Sequence, residues 1–130
     1  MARETPPQLK ARHRIKVRYA ETDQMGIVYH ANYLIWFHEA RDALIRHAGL
    51  SPAEIEQQGW QFPVVEASCR YYASARYGDE VDIQAMLAVR SVARMDFTYL
   101  AIRAGCGTKL VSGTTRTAVT DASGKLVLRT

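Results

Sequence analysis

A single long amphipathic segment, accompanied mainly by strand-like segments, limits the folds open to this chain. Residues 33–48 place apolar side chains at the spacing of one broad helical face, and Gly49 follows as a residue typical of a helix end. The sequence Ser-Pro-Ala-Glu at 51–54 has the form of a capping box with proline in the first turn. It predicts a short second helix that ends near Gly59.

Strand patterns stand on both sides of these helices. Apolar and basic residues alternate over 13–19 before the first helix. After the second helix, strand-like segments separated by short turns cover 62–75, 81–92, 97–104, 110–120 and 126–129. This order predicts an α+β fold in which an antiparallel sheet of five to six strands curves round one long central helix. The far face of the sheet is expected to need another subunit.

The basic charge of the chain is concentrated at its start. The 130 residues carry 17 Lys plus Arg and 13 Asp plus Glu, a formal net charge of +4. Residues 1–14 hold four of the cations and one of the anions, so the rest of the chain is nearly neutral. We therefore expect a flexible basic arm over residues 1–12 and a single domain over 13–130. The scattered cations of the domain argue against a nucleic-acid groove.

The cysteine count and the apolar content indicate a cytoplasmic protein. Cys69 and Cys106 are too few for a disulfide framework, and they form no CxxC pair. The first residues lack the apolar core of a signal peptide, and no stretch approaches the roughly 20 apolar residues of a membrane span. No membrane insertion is expected.

Several familiar site patterns begin in the sequence without being completed. His38 and Glu39 start a zinc-protease motif, but Asp42 stands where the second histidine is required, so no metal site is predicted. The segment 105–109 is too short for a phosphate-binding loop and lies between strands, which favours a hairpin turn. The Gly-x-Ser-x-Gly pattern of a serine hydrolase is absent from the sequence.

The segment with an indication of chemistry is the loop that leads into the long helix. The first N–H groups of a helix are unpaired and partly positive, so they can stabilise an oxyanion at a substrate carbonyl. Asp23 lies shortly before the helix, and Gly26 permits a tight reversal that brings its carboxylate beside that carbonyl. This arrangement suggests acyl transfer with Asp23 as nucleophile or general base. An aspartate before a helix also commonly has a structural role instead: it caps the helix, or its negative charge interacts favourably with the helix dipole.

The same loop carries a family resemblance. The run Asp23-x-x-Gly-Ile-Val-Tyr-His-x-Asn-Tyr33, followed by Trp36-Phe-x-Glu-Ala-Arg41, resembles the 4-hydroxybenzoyl-CoA thioesterase branch of the hotdog-fold superfamily. That branch includes the Tol-Pal-associated acyl-CoA thioesterases. The run Tyr72-x-x-x-Ala-x-x-x-Gly-Asp79 is similar to the second strand and turn of the family. The resemblance implies a hotdog fold and hydrolysis of an acyl-CoA thioester to a carboxylic acid and coenzyme A, with no metal and no organic cofactor.

The resemblance also implies roles for individual residues. Asp23 matches the catalytic carboxylate, and the backbone N–H of His30 matches the donor that polarises the thioester carbonyl. If the His30 N–H has this role, the helix is expected to start nearer His30 than Asn32. Asn32 is nevertheless a good helix cap by residue type, which favours a start about two residues later. Tyr29 and Tyr33 are expected around the acyl pocket, and packing in the core is an equal alternative for each.

A basic cluster for the phosphates of coenzyme A is implied near Arg94, with Arg90 close by. Arginine offers a two-pronged fork that suits phosphate oxygens. Met95 and Asp96 depart from the family pattern, in which further basic or hydroxyl residues stand at these positions. Since the catalytic acid already stands in the loop, Glu39 is expected to have a structural or interface role. The expected substrate-binding residues are thus Gly26, Tyr29, Tyr33, Arg90 and Arg94.

The implied assembly is a homodimer whose sheets join edge to edge, with the active sites at the interface. A homotetramer built as a dimer of dimers and an acyl carrier protein partner are also compatible with the resemblance. The main alternative function is a non-catalytic protein that binds acyl-CoA or acyl carrier protein in the same cleft. Less favoured are a nucleic-acid binder and a hotdog hydratase, which requires a histidine paired with an acid across the cleft. The preferred acyl group stays open at this point.

Overall fold

Two helices and a five-stranded antiparallel sheet form the part of the chain that the computed structural model describes, residues 9–49 and 51–126. The helices are α1 (Asn32–His47) and α2 (Pro52–Gln57). The strands are β1 (Leu9–Lys16), β2 (Val64–Tyr71), β3 (Glu80–Ser91), β4 (Arg94–Arg103) and β5 (Lys109–Ala118). Their order across the sheet is β1-β3-β4-β5-β2. The predicted α+β architecture is confirmed.

The first strand begins earlier than the sequence predicts. β1 pairs with β3 from Leu9 opposite Leu87 to Lys16 opposite Glu80. Residues 9–12, which the charge pattern assigns to the basic arm, therefore belong to the sheet. The outward-facing Arg14 of this strand binds Asp82 through Nε and Nη2, at 2.7 and 3.0 Å. Residues 1–8 of the expected arm lie outside the described residues.

The ends of the helices agree closely with the sequence patterns. Gly49 has φ = +85°, and its N–H donates to the carbonyl oxygen of Arg46, so it closes the last turn of α1. The hydroxyl of Ser51 accepts the N–H of Glu54 at 3.4 Å, as expected for the cap of α2. Of the predicted last strand, Leu126 forms a bridge with Thr120, and residues 127–129 lie outside the described residues. Neither described helix has the length and apolar content needed to cross a bilayer.

Helix α1 packs on the concave face of the sheet, mainly over β1 and β3. The Phe37 ring stacks on the Tyr99 ring with centroids 4.6 Å apart. The Phe37 ring lies directly above Gly113 of β5. A Cβ atom at position 113 would lie 2.5 Å from Phe37 Cε2 and 3.1 Å from the backbone oxygen of Ser68. The absence of a side chain at Gly113 therefore lets α1 approach the sheet. The core side chains come from α1 (Trp36, Phe37, Ala40 and Leu44), β3 (Val81, Ile83 and Ala85), β4 (Phe97 and Ala101) and β5 (Leu110 and Val111).

We predict that Gly113→Ala destabilises the fold, because the added methyl group overlaps the Phe37 ring. The expected loss is about 1–3 kcal/mol of unfolding free energy, the usual cost of overpacking. Urea denaturation followed by circular dichroism measures it. Thr114→Ala, at the adjacent exposed position, is the control and should have a smaller effect. Unchanged stability of Gly113→Ala would show that the close contact does not constrain α1.

Candidate active site

The loop between β1 and α1 is a compact reversal centred on Gly26. The N–H of Asp23 donates to the carbonyl of Ile27 at 2.9 Å, and the N–H of Gly26 donates to the carbonyl of Asp23 at 3.0 Å. Gly26 has φ = +79°, a conformation that residues with a Cβ atom rarely adopt. Gly26 therefore serves the expected reversal of the chain, and the loop returns towards the start of α1.

The Asp23 carboxylate is held by its own loop and faces a cavity. Its Oδ1 atom accepts the N–H of Met25 at 2.8 Å, while Oδ2 accepts no hydrogen bond from the described part of the chain. One oxygen thus fixes the orientation of the carboxylate and the other is available to a ligand. The cavity has a volume of about 360 Å³ and is lined by Asp23, Met25, Ile27, Val28, His30, Tyr33, Tyr71, Tyr72, Ala73 and Ser74.

Unpaired amide groups occur at the start of α1, where His30 lines the same cavity as Asp23. The N–H of Asn32 donates to the Tyr29 carbonyl at 2.9 Å, and the N–H of Tyr33 donates to the His30 carbonyl at 3.4 Å. The C=O and N–H of a trans peptide point in opposite directions, so these bonds turn the N–H groups of His30 and Ala31 away from the helix. Within the described chain neither N–H finds an acceptor. The helix dipole adds partial positive charge at this end.

A buried carboxylate that the sequence analysis did not single out, that of Glu21, fixes this geometry. Its side chain is 7% exposed and accepts the Arg18 backbone N–H and the Trp36 indole N–H, both at 2.8 Å. Its carbonyl oxygen accepts the Tyr29 N–H and the Asn32 side-chain amide, both at 2.9 Å. Burial alone would raise the pKa of Glu21, but the hydrogen bonds from Arg18 and Trp36 outweigh it and hold the pKa below its ordinary value.

This arrangement corrects the expectation for Asn32. Ala31 occupies the cap position of α1 and makes no side-chain hydrogen bond there, while Asn32 is the first residue of the helix. The Asn32 side chain is used to bind Glu21 rather than to cap the helix. A turn from Tyr29 to Asn32 precedes the helix, but the helix itself starts at Asn32, so the expected start nearer His30 is wrong by about two residues.

Two tyrosines form an aromatic wall of the cavity. Tyr33 is 2% exposed, and its ring lies 5.8 Å from that of Tyr71. The Tyr71 hydroxyl donates to the His30 carbonyl at 3.1 Å. Partial burial, together with the neighbouring Cys69 thiol, raises the pKa of Tyr71 to about 12. Tyr71 therefore stays a neutral donor that holds the peptide between His30 and Ala31. Sequence analysis missed Tyr71 because no local pattern links it to His30.

The structure brings together only some of the predicted site residues. Asp23, His30 and Tyr33 line one cavity, whereas the Tyr29 ring is 48% exposed and lies against the His30 ring outside that lining. Glu39 Oε2 lies 3.5 Å from His13 Nε2 on β1, a contact compatible with a structural role.

Arg90 and Arg94 meet at a different place in the protomer. Both bind the buried carboxylate of Asp96, at 3.1 and 3.0 Å, and the hydrogen bond from Arg94 contributes most to lowering the Asp96 pKa. Asp96 lies five residues along β4 from Ala101, which is level with Tyr71 across β5. Measured along the strand, Asp96 and its two arginines therefore lie about 17 Å from the level of Tyr71 in the cavity wall. Arg94, predicted in a turn, is the first residue of β4.

Comparison with known proteins places the chain in a defined group. Residues 17–128 match the family model described as the thioesterase-like superfamily. The acyl-CoA thioester hydrolase YbgC of Escherichia coli is 31% identical over 90 residues, 69% of this chain and 67% of YbgC. YneP of Bacillus subtilis is 51% identical over 65 residues, so the match spans 50% of this chain but only 47% of YneP. The crystal structure of the DHNA-CoA thioesterase from Staphylococcus aureus is 31% identical and superposes with a TM-score of 0.85, over 91% of this chain and 79% of that one.

We predict that Glu21→Gln destabilises the protein in a pH-dependent manner. Loss of the charged acceptor is expected to cost about 1.5–3 kcal/mol at neutral pH, the range for hydrogen bonds to charged groups. Since the folded-state pKa of Glu21 is lowered, its contribution is present above the unfolded value of about 4.3 and is lost as the pH falls through the folded-state pKa. The stability difference from the wild type should therefore shrink below about pH 4.

Urea denaturation between neutral and acidic pH measures this difference. Glu56→Gln removes an exposed carboxylate of α2 and serves as the control, for which little change is expected at any pH. A difference between the wild type and Glu21→Gln that stays constant with pH would contradict the role of the ionised carboxylate.

Proposed function

The chain belongs to the thioesterase-like superfamily, and from this premise we propose that it hydrolyses an acyl-CoA thioester to a free carboxylic acid and coenzyme A. One observation carries the proposal. Asp23, whose Oδ2 is free of hydrogen bonds in the described chain, lines the same cavity as His30, whose N–H is unpaired; this supports an acid acting next to a site for a developing oxyanion. The DHNA-CoA thioesterase of Staphylococcus aureus, at 31% identity, supports this class of reaction.

In the proposed reaction the thioester carbonyl oxygen accepts the N–H of His30. Asp23 then acts by one of two routes. As a nucleophile it attacks the carbonyl carbon and gives a mixed anhydride, which water hydrolyses. As a general base it takes a proton from a water molecule, whose oxygen adds to the carbonyl carbon. In both routes the C–S bond breaks, and the sulfur leaves as the thiolate of coenzyme A and takes up a proton.

The proposed active unit is a homodimer joined through the edge of β2. β2 pairs with β5 on one side, and its other side has no ladder partner in the described chain. This edge carries the exposed apolar residues Val64, Val65 and Tyr71. The opposite edge strand, β1, instead carries charged side chains that protect an edge from pairing. Pairing through β2 also places a second copy beside the Tyr71 wall of the cavity.

We predict that Asp23→Asn retains the fold and loses at least about 100-fold in kcat, as expected when a catalytic base is removed. The asparagine oxygen can still accept the Met25 N–H, so the loop keeps its main constraint. A thiol-reactive chromophore measures the release of coenzyme A. The matched control is Asp121→Asn, because Asp121 accepts the N–H of Ser123 in the same local geometry at 2.9 Å.

Normal turnover by Asp23→Asn would contradict the assignment of the catalytic acid. The assay also tests the alternative of a non-catalytic binding protein. Such a protein would be stabilised thermally by acyl-CoA, without release of the thiol.

We further propose that Arg94, with Arg90, binds the phosphates of coenzyme A through the part of each guanidinium not used by Asp96. The side chains of Arg90 and Arg94 are 58% and 41% exposed. Arg94→Ala is then expected to raise KM for an acyl-CoA more than for the corresponding acyl-pantetheine, which lacks the nucleotide. Arg116→Ala, which removes an exposed arginine paired with Glu66 on the same face, is the control. Equal effects of Arg94→Ala on both substrates would assign Arg94 to the support of Asp96 alone.

A further inference from the structure

Arg41 is a half-buried residue, and two of its three guanidinium nitrogens are buried without a hydrogen-bond acceptor. Its Nε and Nη1 atoms are inaccessible to solvent and bind no acceptor in the described residues. Its Cζ atom lies 5.8 Å from the centroid of the Phe97 ring, so an aromatic face supplies part of the compensation for its charge. A buried charge normally has a hydrogen-bonded partner, because desolvation is otherwise too costly. The guanidinium group is therefore poised to bind an acceptor from outside the described chain.

A second cavity adjoins this guanidinium group. It has a volume of about 500 Å³ and lies between the two helices and the segment before β2, where it is lined in part by Arg41, Asp42, Ile45, Ile55, Glu56 and Phe62. Asp42 faces His38 at 3.8 Å, and neither Asp42 nor Glu56 forms an ion pair with Arg41. The lining thus combines apolar side chains with two carboxylates, the Gln61 amide and the unpaired donors of Arg41. Because the two carboxylates repel a negative charge, a neutral oxygen is as suitable a ligand atom for Arg41 as a carboxylate.

A second buried polar group without a hydrogen-bond partner lies on β5, beyond the residue that pairs with Phe97. The Thr117 side chain is 0% exposed, and its hydroxyl has no hydrogen-bond partner among the described residues. Thr117 follows Thr115 by two positions on β5, so both face α1, and Thr115 pairs with Phe97 beneath Arg41. Thr117 is thus a second buried polar group without a partner, on the strand next to the one that carries Phe97.

The position of Arg41 relates this cavity to the candidate active site. Tyr33, Phe37 and Arg41 follow one another at four-residue intervals and lie on one side of α1. Tyr33 lies against Tyr71 of β2, and Phe37 lies above Gly113, which pairs with Cys69 of β2. The ring beneath Arg41, Phe97, is level with Ala67 of β2 across Thr115.

This lane between α1 and β2 runs from Tyr71 past Cys69 to Ala67. Each four-residue step along the helix covers about 6 Å and matches a two-residue step of about 7 Å along the strand. Arg41 therefore lies about 12 Å beyond Tyr33. Ala67 is exposed, and Cys69 is half-buried with one side packed against the core, so the lane is only partly covered by the described chain.

Building on the proposed thioesterase function, we propose that Arg41 is a specificity-determining residue that binds an oxygen atom at the distal end of the acyl group. The thioester lies at His30 and Asp23, the acyl chain follows the lane along β2, and a terminal hydroxyl or carboxylate accepts hydrogen bonds from the guanidinium group of Arg41. An acyl group that ends in a methyl leaves the guanidinium group unpaired. The enzyme therefore selects acyl-CoA substrates that are oxygenated at the far end.

The test compares CoA thioesters of equal length that end in a methyl, a hydroxyl or a carboxyl group, in the octanoyl, decanoyl and dodecanoyl series. The wild type is expected to show a higher kcat/KM for at least one oxygenated terminus, by about tenfold or more at the best-fitting length, as hydrogen bonds to a charged group predict. Arg41→Met, of similar size without the charge, should abolish this ratio. Arg46→Met, which removes an exposed arginine from the last turn of α1, should retain it.

Three different results would overturn the assignment. Equal kcat/KM values for all termini in the wild type, at every length, would exclude recognition of the distal oxygen. An altered oligomeric state of Arg41→Met in size-exclusion chromatography, with equal losses on all substrates, would show that a second copy supplies the acceptor. Non-competitive inhibition by free decanoate, without discrimination among substrates, would place a free acid in this cavity instead. If Arg41→Met does not fold, Arg41→Lys retains the charge without the planar fork and should reduce the ratio.

Failure of the proposed function has a different signature. A wild type that hydrolyses none of the thioesters would contradict the thioesterase proposal. Thermal stabilisation of that protein by ω-hydroxy- or ω-carboxydecanoyl-CoA beyond that given by decanoyl-CoA, lost in Arg41→Met, would still support the Arg41 site. Equal stabilisation by all three would overturn it.

Discussion

The geometry of the candidate site depends on the buried carboxylate of Glu21. Its side chain binds the indole of Trp36 inside α1, and its carbonyl group binds Tyr29 and Asn32 at the start of the same helix. One residue thus joins the loop and the helix through both its backbone and its side chain. Because the loop between these contacts contains Asp23, the carboxylate and the first amide groups of α1 cannot shift independently. The positions of Asp23 and of these amide groups are set before any ligand arrives, which is the condition for the electrostatic stabilisation of an oxyanion in the proposed reaction.

The contact between Phe37 and Gly113 sets the distance between the helix and the sheet. With no side chain at Gly113, the Phe37 ring settles on β5 and stacks on Tyr99. The helix then lies mainly over β1 and β3, so the concave surface of β2 stays open beside it. The same packing forms the core and leaves the lane that runs from Tyr71 towards Arg41. A bulkier residue at position 113 would change both the stability and the shape of this lane.

Element order could be predicted from the sequence because helix and strand periodicities are local. That Asp23 and His30 line one cavity could also be predicted, since seven residues of one loop separate them. The start of β1 could not, because residues 9–12 are held in the sheet by pairing with residues 84–87 of β3, which lie far along the chain. Glu21 and Tyr71 were missed for the same reason: their partners, Trp36 and His30, lie 15 and 41 residues away. Arg90 and Arg94 were grouped correctly by proximity, but their shared partner Asp96 becomes apparent only when the strand register is known.

The hydrogen bonds of Glu21 and Asp23 explain why two acids in one short loop receive different roles. Glu21 is buried, and both of its carboxylate oxygens accept hydrogen bonds from donors that stabilise the charged form. Such a group cannot accept a proton or attack a carbonyl without breaking the bonds that hold the loop. Asp23 uses Oδ1 for its own turn, and its Oδ2 accepts no hydrogen bond in the described chain at a residue that lines the cavity. Since a nucleophile or base needs an unoccupied lone pair within reach of the substrate, the proposed catalytic role falls on Asp23, and the proposed role of Glu21 is to position it.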